Sequence, residues 1–185
     1  KMDNKDKITN EMRETIKRYK NIVISGEVGV GKITHTVEAV QDNANVYYLG
    51  NPVDYVGKPR PKGYDKYIDY IISLKKDMHI IATEKEILSF DFSSMRGDNA
   101  ILIIDEIYGR SAEQFEKVLG ILGIEKLKVI IIAGCLKNVG RLIRDIDAAV
   151  MLIPDGILLI EKEFAKKICR VLCPDPQVEQ AKLFN

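Results

Sequence analysis

A glycine-rich run near the N-terminal end of the chain has the residue types and spacing of a phosphate-binding loop. It follows the pattern G-x-x-x-x-G-K and consists of Gly26, Glu27, Val28, Gly29, Val30, Gly31, Lys32, Ile33 and Thr34. Glycines let the backbone turn so that its N–H groups point inwards and surround phosphate oxygens. The Lys32 ammonium adds a positive charge that reaches the β- and γ-phosphates of a nucleotide. The run therefore predicts nucleotide binding, with Lys32 also acting in catalysis.

Ile33 departs from this pattern, because the position normally carries a Ser or Thr whose hydroxyl binds Mg²⁺. Thr34 cannot simply replace it, since the next side chain is rotated by about 100° around a helix. We expect Thr34 to contact the α-phosphate instead. Two explanations remain open: the loop is an impaired or substituted form of G-x-x-x-x-G-K-T-T, or water fills that position on the metal. Nucleotide binding should survive, and Ile33 is expected to lower turnover.

Two carboxylates, Asp105 and Glu106, close the apolar run Ile101–Ile104. At the end of a strand, Asp105 is expected to support Mg²⁺ through water, and Glu106 to orient and activate the attacking water as a general base. The alternative is that both carboxylates only cap the end of the strand. The long separation from the glycine-rich run leaves room for an additional strand between the two motifs.

Apolar runs alternate along the chain with segments of helical periodicity. Runs at 21–25, 46–49, 79–82, 100–104, 127–133 and 148–153 predict strands, and segments at 8–19, 31–41, 64–75, 83–90, 111–122, 139–146 and 162–172 predict helices. Pro154-Asp155-Gly156 predicts a tight turn into a strand at 157–160. We therefore predict a three-layer α/β fold with a mainly parallel sheet, helices on both faces and an antiparallel edge hairpin. It should form one domain over residues 1–185, with an N-terminal helix within 1–20 and a C-terminal helix and tail at 162–185.

Composition argues against several other classes of protein. Hydrophobic residues make up 46% and charged residues 30% of the chain, which is typical of a folded rather than a disordered protein. A net charge of +1 gives no overall attraction to nucleic acid or to an anionic membrane. No run approaches the roughly 20 apolar residues of a membrane span. The three cysteines, His35 and His79 lack metal-ligand spacing, so reduced thiols and a cytoplasmic location are expected.

The glycine-rich run and Asp105-Glu106 together resemble the Walker A and Walker B motifs of P-loop NTPases of the additional-strand catalytic-glutamate (ASCE) division. That division includes AAA-type ATPases, helicase-like motors and DNA-translocating and DNA-packaging ATPases. The resemblance covers about residues 21–153 and rests on these two motifs. It implies a hydrolase that uses ATP and Mg²⁺ to move or remodel a DNA or protein partner and that works as a homo-oligomer.

The same resemblance implies two further functional groups. A polar residue after the next strand should sense the γ-phosphate, and Asn138 is the candidate; alternatively, Asn138 caps the following helix. An arginine should act on the nucleotide of a neighbouring subunit, and Arg141 and Arg144 are the candidates. Alternatively, these arginines form a solvated helix face or pair with Asp145 and Asp147.

Two other functions remain open. The segment 129–134 after Asp105-Glu106 is similar to P-loop thymidine kinases, although the chain lacks their paired C-x-x-C motifs. A nucleoside or small-molecule kinase is therefore one alternative, and a nucleotide-gated scaffold with little hydrolysis is the other. No Asn/Thr-Lys-x-Asp guanine motif is present in the sequence, which favours ATP.

Two loops carry further candidate contacts. The proline-rich loop 50–63 and its surroundings hold basic and aromatic residues that suit single-stranded nucleic acid, or else form a solvated surface: Tyr55, Lys58, Arg60, Lys62 and Tyr64. Residues 108–110 are expected to make the turn into the next helix, with substrate contact as the alternative.

Overall fold

A seven-stranded sheet forms the centre of the molecule in the computed structural model, which describes residues 3–52, 63–95, 99–107 and 109–172. The strands β1 to β7 are Asn21–Ser25, Val46–Leu49, His79–Ile81, Ile101–Ile104, Lys128–Ala133, Ala148–Ile153 and Gly156–Glu161. Most of them are rich in Ile and Val, whose branched side chains favour extended backbone. β1 and β4 are buried along their whole length, as expected for parallel strands covered on both faces.

Helices connect the strands. The α-helices α1 to α6 are Asn4–Arg18, Lys32–Ala39, Tyr64–Leu74, Glu84–Ser89, Ala112–Leu122 and Lys162–Leu172. Two 3₁₀ helices, Phe92–Met95 and Leu136–Asp145, precede β4 and β6 respectively. No described helix combines the length and the apolar character needed to cross a bilayer.

The order of the strands across the sheet is β3-β2-β4-β5-β1-β6-β7. All neighbours pair in parallel except β6 and β7, which form an antiparallel edge hairpin. β5 lies between β1 and β4, so one strand separates the two strands that precede the predicted motifs. Because the strands are parallel, their carboxyl ends lie at the same edge of the sheet.

Helices cover both faces of this sheet. Alternate residues of β1 show the two layers, because Val23 belongs to one apolar cluster and Ile22 and Ile24 to the other. α1, α2 and α3 pack on the face of Ile22, and α4, α5, α6 and the long 3₁₀ helix pack on the face of Val23. The predicted α/β fold with a mainly parallel sheet and an edge hairpin is confirmed.

Local signals predicted most element boundaries well. Thr83 forms a capping box with Glu86 at the start of α4, and the Ser111 hydroxyl accepts from the Gln114 N–H at the start of α5. α1 begins four residues before the predicted Ile8, because the apolar spacing marks only the part of the helix that packs.

The helix predicted at 139–146 is wrong in extent. The segment is a 3₁₀ helix over Leu136–Asp145, interrupted at Gly140, whose φ of 53° and ψ of −129° are not helical. Apolar side chains at Leu136, Val139 and Leu142 are buried and hold the segment against the core despite this break. The predicted contacts of Tyr55, Lys58, Arg60, Lys62 and Tyr108, and the tail after Leu172, lie outside the described residues.

Candidate functional site

The glycine-rich loop joins the carboxyl end of β1 to the first turn of α2. Gly26, Gly29 and Gly31 have positive φ values of 155°, 81° and 89°, which favour glycine. A Cβ atom on Gly26 would lie 2.6 Å from the carbonyl oxygen of Leu152, so the loop packs closely against β6. The side chain of Val28 at the tip is 99% exposed. The three glycines therefore give the loop the backbone turns that the phosphate-binding pattern requires.

Lys32 folds back across this loop. Its Nζ donates to the carbonyl oxygens of Gly26 at 2.6 Å and Glu27 at 2.8 Å. Burial lowers the pKa of Lys32, whereas the negative charges of Glu106 and Asp105 raise it. The loop that carries Lys32 follows β1 and the two predicted carboxylates follow β4, so all three lie at the same edge of the parallel sheet. Because a phosphate carries a full negative charge and a carbonyl does not, a phosphate group can displace the two carbonyls from the ammonium.

Ile33 and Thr34 each contact a neighbouring element of the fold. Ile33 is half-buried and packs against the apolar cluster under α1, α2 and α3. The Thr34 hydroxyl lies 2.7 Å from the hydroxyl of Tyr70 on α3. The predicted contact between Thr34 and an α-phosphate stays a prediction, and it requires this hydroxyl pair to rearrange or to share the ligand.

His35 supports the loop from below. Its Nδ1 lies 3.0 Å from the Thr9 hydroxyl of α1, and its Cδ2 would lie 3.1 Å from a Cβ atom on Gly31. Burial lowers the pKa of His35; Glu38 acts in the opposite direction and Lys5 in the same direction. Within the described part of the chain, no group of three or more His, Cys, Asp or Glu side chains is placed to hold a metal by itself.

Asp105 is buried at the carboxyl end of β4. One of its oxygens, Oδ2, accepts hydrogen bonds from the hydroxyls of Tyr48 at 2.5 Å and Tyr67 at 2.6 Å. Burial and the adjacent Asp105 charge raise the pKa of Tyr48 well above its ordinary value, so this phenol stays a neutral donor. The carboxylate is thus anchored by two donors that come from different elements, β2 and α3.

Glu106 leaves β4 in a left-handed backbone conformation, with φ at 42°. For a residue with a Cβ atom this costs about 1–2 kcal/mol. Side chains hold the strained peptide: the Glu106 carbonyl accepts from Asn51 Nδ2 at 3.0 Å and from Arg110 Nε at 3.2 Å. The conformation brings Glu106 Oε2 to 3.2 Å from the backbone N–H of Gly134, just after β5. Residues in strained backbone conformations cluster at functional sites, which makes Glu106 a candidate functional residue.

Arg110 connects the residues around this turn through hydrogen bonds. Its guanidinium donates to four backbone carbonyls and to one side chain, which belong to Leu49, Gly50, Asp105, Glu106 and Gln114. Burial lowers the pKa of Arg110 to about 10, which still leaves it protonated at neutral pH. It ties the carboxyl ends of β2 and β4 together, a role that the expected turn at 108–110 did not include.

The predicted sensor and arginine candidates lie on the long 3₁₀ helix. The alternative in which Asn138 caps this helix is wrong, because the helix begins at Leu136 and Cys135 occupies the capping position. Arg141 is exposed and binds Glu116 of α5 at 2.6 Å, rather than Asp145 or Asp147. Arg144 is exposed. Their predicted action on a neighbouring subunit stays a prediction.

The residues that sequence reasoning missed are mostly hydrogen-bond donors to the predicted motifs. Three tyrosines at a spacing of three, Tyr64, Tyr67 and Tyr70, stand on α3, and the spacing alone could have indicated one face of a helix. No comparable signal marks Tyr48, because a tyrosine in an apolar strand reads as core.

The arrangement fits a nucleotide and a metal bound together. The glycine-rich loop and Lys32 suit phosphate, and Mg²⁺ is commonly held by one or two carboxylates together with phosphates and water. Asp105 fits that limited role, whereas Ile33 offers no oxygen. Comparison of the chain with models of known protein families and with curated proteins finds no match. The functional interpretation therefore rests on these residues and their geometry.

Proposed function

We propose that this protein binds ATP with Mg²⁺ and hydrolyses it, as a P-loop ATPase. The observation that carries the proposal is the placement of the two motifs: the glycine-rich loop follows β1, Asp105 and Glu106 follow β4, and both lie at the carboxyl edge of one parallel sheet. The placement of β5 between β1 and β4 supports the resemblance to the ASCE division. Phosphate binding, metal support and water activation thereby meet at one edge of the sheet.

Lys32 and the loop backbone bind the phosphates. The ammonium leaves the carbonyls of Gly26 and Glu27 and donates to phosphate oxygens, while the N–H groups of the loop surround them. The N-terminus of α2 adds a partial positive charge at the same place. Because these contacts are made to phosphate, ADP should bind at the same site.

Asp105 supports the metal through a water molecule. Bound Mg²⁺ neutralises negative charge on the β- and γ-phosphates during transfer. Ile33 cannot contribute an oxygen, so this chain relies on Asp105 and on water at that position. We expect binding to tolerate this loss and turnover to suffer from it.

Glu106 is the general base. Its carboxylate accepts a proton from the water that attacks the γ-phosphorus, and the bond between the γ-phosphorus and the bridging oxygen of ADP breaks. The left-handed peptide and the contact at Gly134 hold this carboxylate at the end of β5, next to the strand that precedes the loop. Catalysis by this group should be lost when it can no longer take a proton.

Energy from hydrolysis is proposed to drive movement or remodelling of a DNA or protein partner by a homo-oligomer. In such an assembly Arg141 or Arg144 is the candidate to reach the nucleotide of the neighbouring subunit. For Arg141 this role requires release from Glu116, an exposed ion pair that contributes little by itself.

The testing experiment is phosphate release from ATP with Mg²⁺ by the unaltered chain and by two variants. We expect Glu106→Gln to abolish release while ATP still binds, because the amide keeps the shape but cannot take a proton. We expect Ile33→Thr to raise release at least tenfold, because it restores the hydroxyl next to the metal.

Unchanged release in Glu106→Gln would contradict the assigned base. A chain that binds ATP but releases no phosphate, with Ile33→Thr equally inactive, would overturn the ATPase proposal. Phosphate transfer to an added nucleoside in place of release to water would then identify a kinase, and tight binding without any transfer would identify a nucleotide-gated scaffold.

A further inference from the structure

Three tyrosines on α3 each connect the helix to a different part of the site edge. The Tyr64 hydroxyl donates to the carbonyl of Ala82 at 2.9 Å, and the Tyr67 hydroxyl donates to Asp105 Oδ2 at 2.6 Å. The Tyr70 hydroxyl lies 2.7 Å from that of Thr34 in the first turn of α2. α3 therefore contacts both nucleotide motifs through hydroxyl groups, although neither motif lies on it.

The second phenol that donates to Asp105 comes from a strand of the sheet. Tyr48 lies on β2, which pairs with β4, and its side chain is fully buried. Both phenols donate to the same oxygen, Oδ2, so the other oxygen, Oδ1, accepts from neither. Two donors from separate elements restrict the position of the carboxylate and its rotation about the side-chain bonds.

This restriction matters because of Ile33. In the usual pattern a Ser or Thr hydroxyl at that position binds the metal directly. With an apolar side chain there, more of the metal's placement falls to Asp105 and to the water that Asp105 orients. A carboxylate held before the metal arrives loses less conformational freedom on binding.

We propose that Tyr48 and Tyr67 are positioning residues for Mg²⁺. They hold Asp105 through Oδ2 and leave Oδ1 to accept a hydrogen bond from metal-bound water. The inference rests on the proposed function, because it concerns the metal that accompanies the nucleotide. Loss of such outer hydrogen bonds weakens metal affinity by roughly 10–100-fold in other metal sites.

The test compares ADP binding with Mg²⁺ and with a chelator, by calorimetry, in the unaltered chain and in Tyr67→Phe. Mg²⁺ should raise the affinity for ADP, and the Mg²⁺ concentration needed for half of this increase measures how tightly the metal binds. We expect that concentration to be about tenfold higher in Tyr67→Phe than in the unaltered chain. Affinity in chelator should not change, because the phosphate contacts of Lys32 and the loop remain. Tyr48→Phe should act in the same direction, and its thermal unfolding without ligand checks that the buried site still folds.

Tyr64→Phe is the matched control, since it removes a hydroxyl from the same helix face without touching Asp105. Its Mg²⁺ dependence should equal that of the unaltered chain. Asp105→Asn provides the second control, because adding Tyr67→Phe to it should cause no further loss if both act through one carboxylate.

Three results would overturn the inference while leaving the proposed function in place. They are an unchanged Mg²⁺ dependence in both tyrosine variants, an equal loss of ADP affinity with and without the metal, and a tighter response to Mg²⁺. The last would mean that the phenols compete with the metal for Asp105. Failure of the unaltered chain to bind ADP under any condition would instead overturn the proposed function, and this inference with it.

Discussion

Arg110 shows how a single residue can stabilise a strained turn at the site. Its guanidinium donates to the carbonyls of Leu49, Gly50, Asp105 and Glu106, and the last of these belongs to the left-handed residue. A planar fork of donors can serve several acceptors at once, which a single ammonium cannot. The position of the Glu106 carboxylate therefore depends on a side chain that is not expected to touch the nucleotide.

Arg110→Lys should reveal this dependence. We expect the free energy of unfolding to fall by about 3 kcal/mol, because several bonds from a charged donor are lost and buried carbonyls lose partners. Phosphate release should fall more than ATP affinity, since Glu106 is held by Arg110 and the loop is not. Urea unfolding and ATP titration measure the two effects. Arg18→Lys, an exposed site on α1, is the control, and equal stability of both variants would contradict this account.

At the scale of elements, contacts between helices and strand ends support the site. α1 packs on α2 through the hydroxyl of Thr9, which lies 3.0 Å from His35 Nδ1 and donates to Glu38 at 3.3 Å, and Lys5 pairs with Glu38 at 2.7 Å. The first turn of α3 packs on Gly50 at the end of β2. The first contact involves α2, which follows the glycine-rich loop, and the second lies at the end of β2, which pairs with β4. Changes in these two contacts therefore test how the candidate site is supported.

The contact between α1 and α2 should make stability depend on pH. The pKa of His35 is lowered in the folded chain from an ordinary value of 6.5, chiefly by burial, so the unfolded chain binds more protons as pH falls below about 6.5. The contribution of His35 to the free energy of unfolding should therefore be fully present above that pH. It should decline as the pH falls below about 6.5 towards the pKa of the folded state. Melting temperatures between pH 5.5 and 7.5, values chosen to span the ordinary pKa, measure the slope.

The two histidines of the chain provide the comparison. His35→Gln should flatten the pH slope of the melting temperature, because no imidazole remains to titrate between α1 and α2. His79→Gln, at an exposed position on β3, should keep the slope of the unaltered chain. A slope that persists in His35→Gln would assign the dependence to other groups.

The contact between α3 and β2 leaves no room for a methyl group at Gly50. A Cβ atom there would clash with the Tyr64 hydroxyl oxygen, while its next neighbours, Ala82 and Tyr48, are at ordinary distances of 3.4 and 3.5 Å. Gly50→Ala should therefore lower the free energy of unfolding by about 1–3 kcal/mol. Adding Tyr64→Phe, which removes the clashing oxygen, should recover part of this loss. Urea unfolding of the two single variants and the double variant checks the coupling, and strict additivity would contradict it.

At the scale of the whole molecule, the candidate site is built on the strands of one continuous sheet. A ligand bound there should therefore stabilise the whole fold. The loop follows the interior strand β1, and Asp105 follows β4, so a ligand that bridges them binds the folded chain and not the unfolded one. Binding of this kind raises the free energy of unfolding by mass action.

Thermal unfolding with and without ATP and Mg²⁺ tests this coupling. At about 100 times the dissociation constant, the ligand should add about 2.7 kcal/mol to the free energy of unfolding. Lys32→Met should remove most of the rise in melting temperature, because in the proposed site the Lys32 ammonium is the charged group that binds phosphate. An equal rise in Lys32→Met would place the nucleotide elsewhere.

Much of the fold follows from local signals in this sequence. The apolar runs of β1, β4 and β5 and the caps at Thr83 and Ser111 act over a few residues, so their consequences can be predicted without the partners. The long 3₁₀ helix could not be predicted in the same way, because its apolar residues suit more than one helical form and Gly140 interrupts it.

The same distinction between local and long-range contacts applies to the candidate site. The spacing of Gly26, Gly31, Lys32, Asp105 and Glu106 determined by itself where phosphate, metal and water are proposed to meet, because each motif is continuous in sequence. Only the tertiary structure decided which groups hold them. Donors from β2, α3 and the turn before α5 reach Asp105 and Glu106 across long stretches of chain, and contacts of that range depend on how the sheet and helices pack.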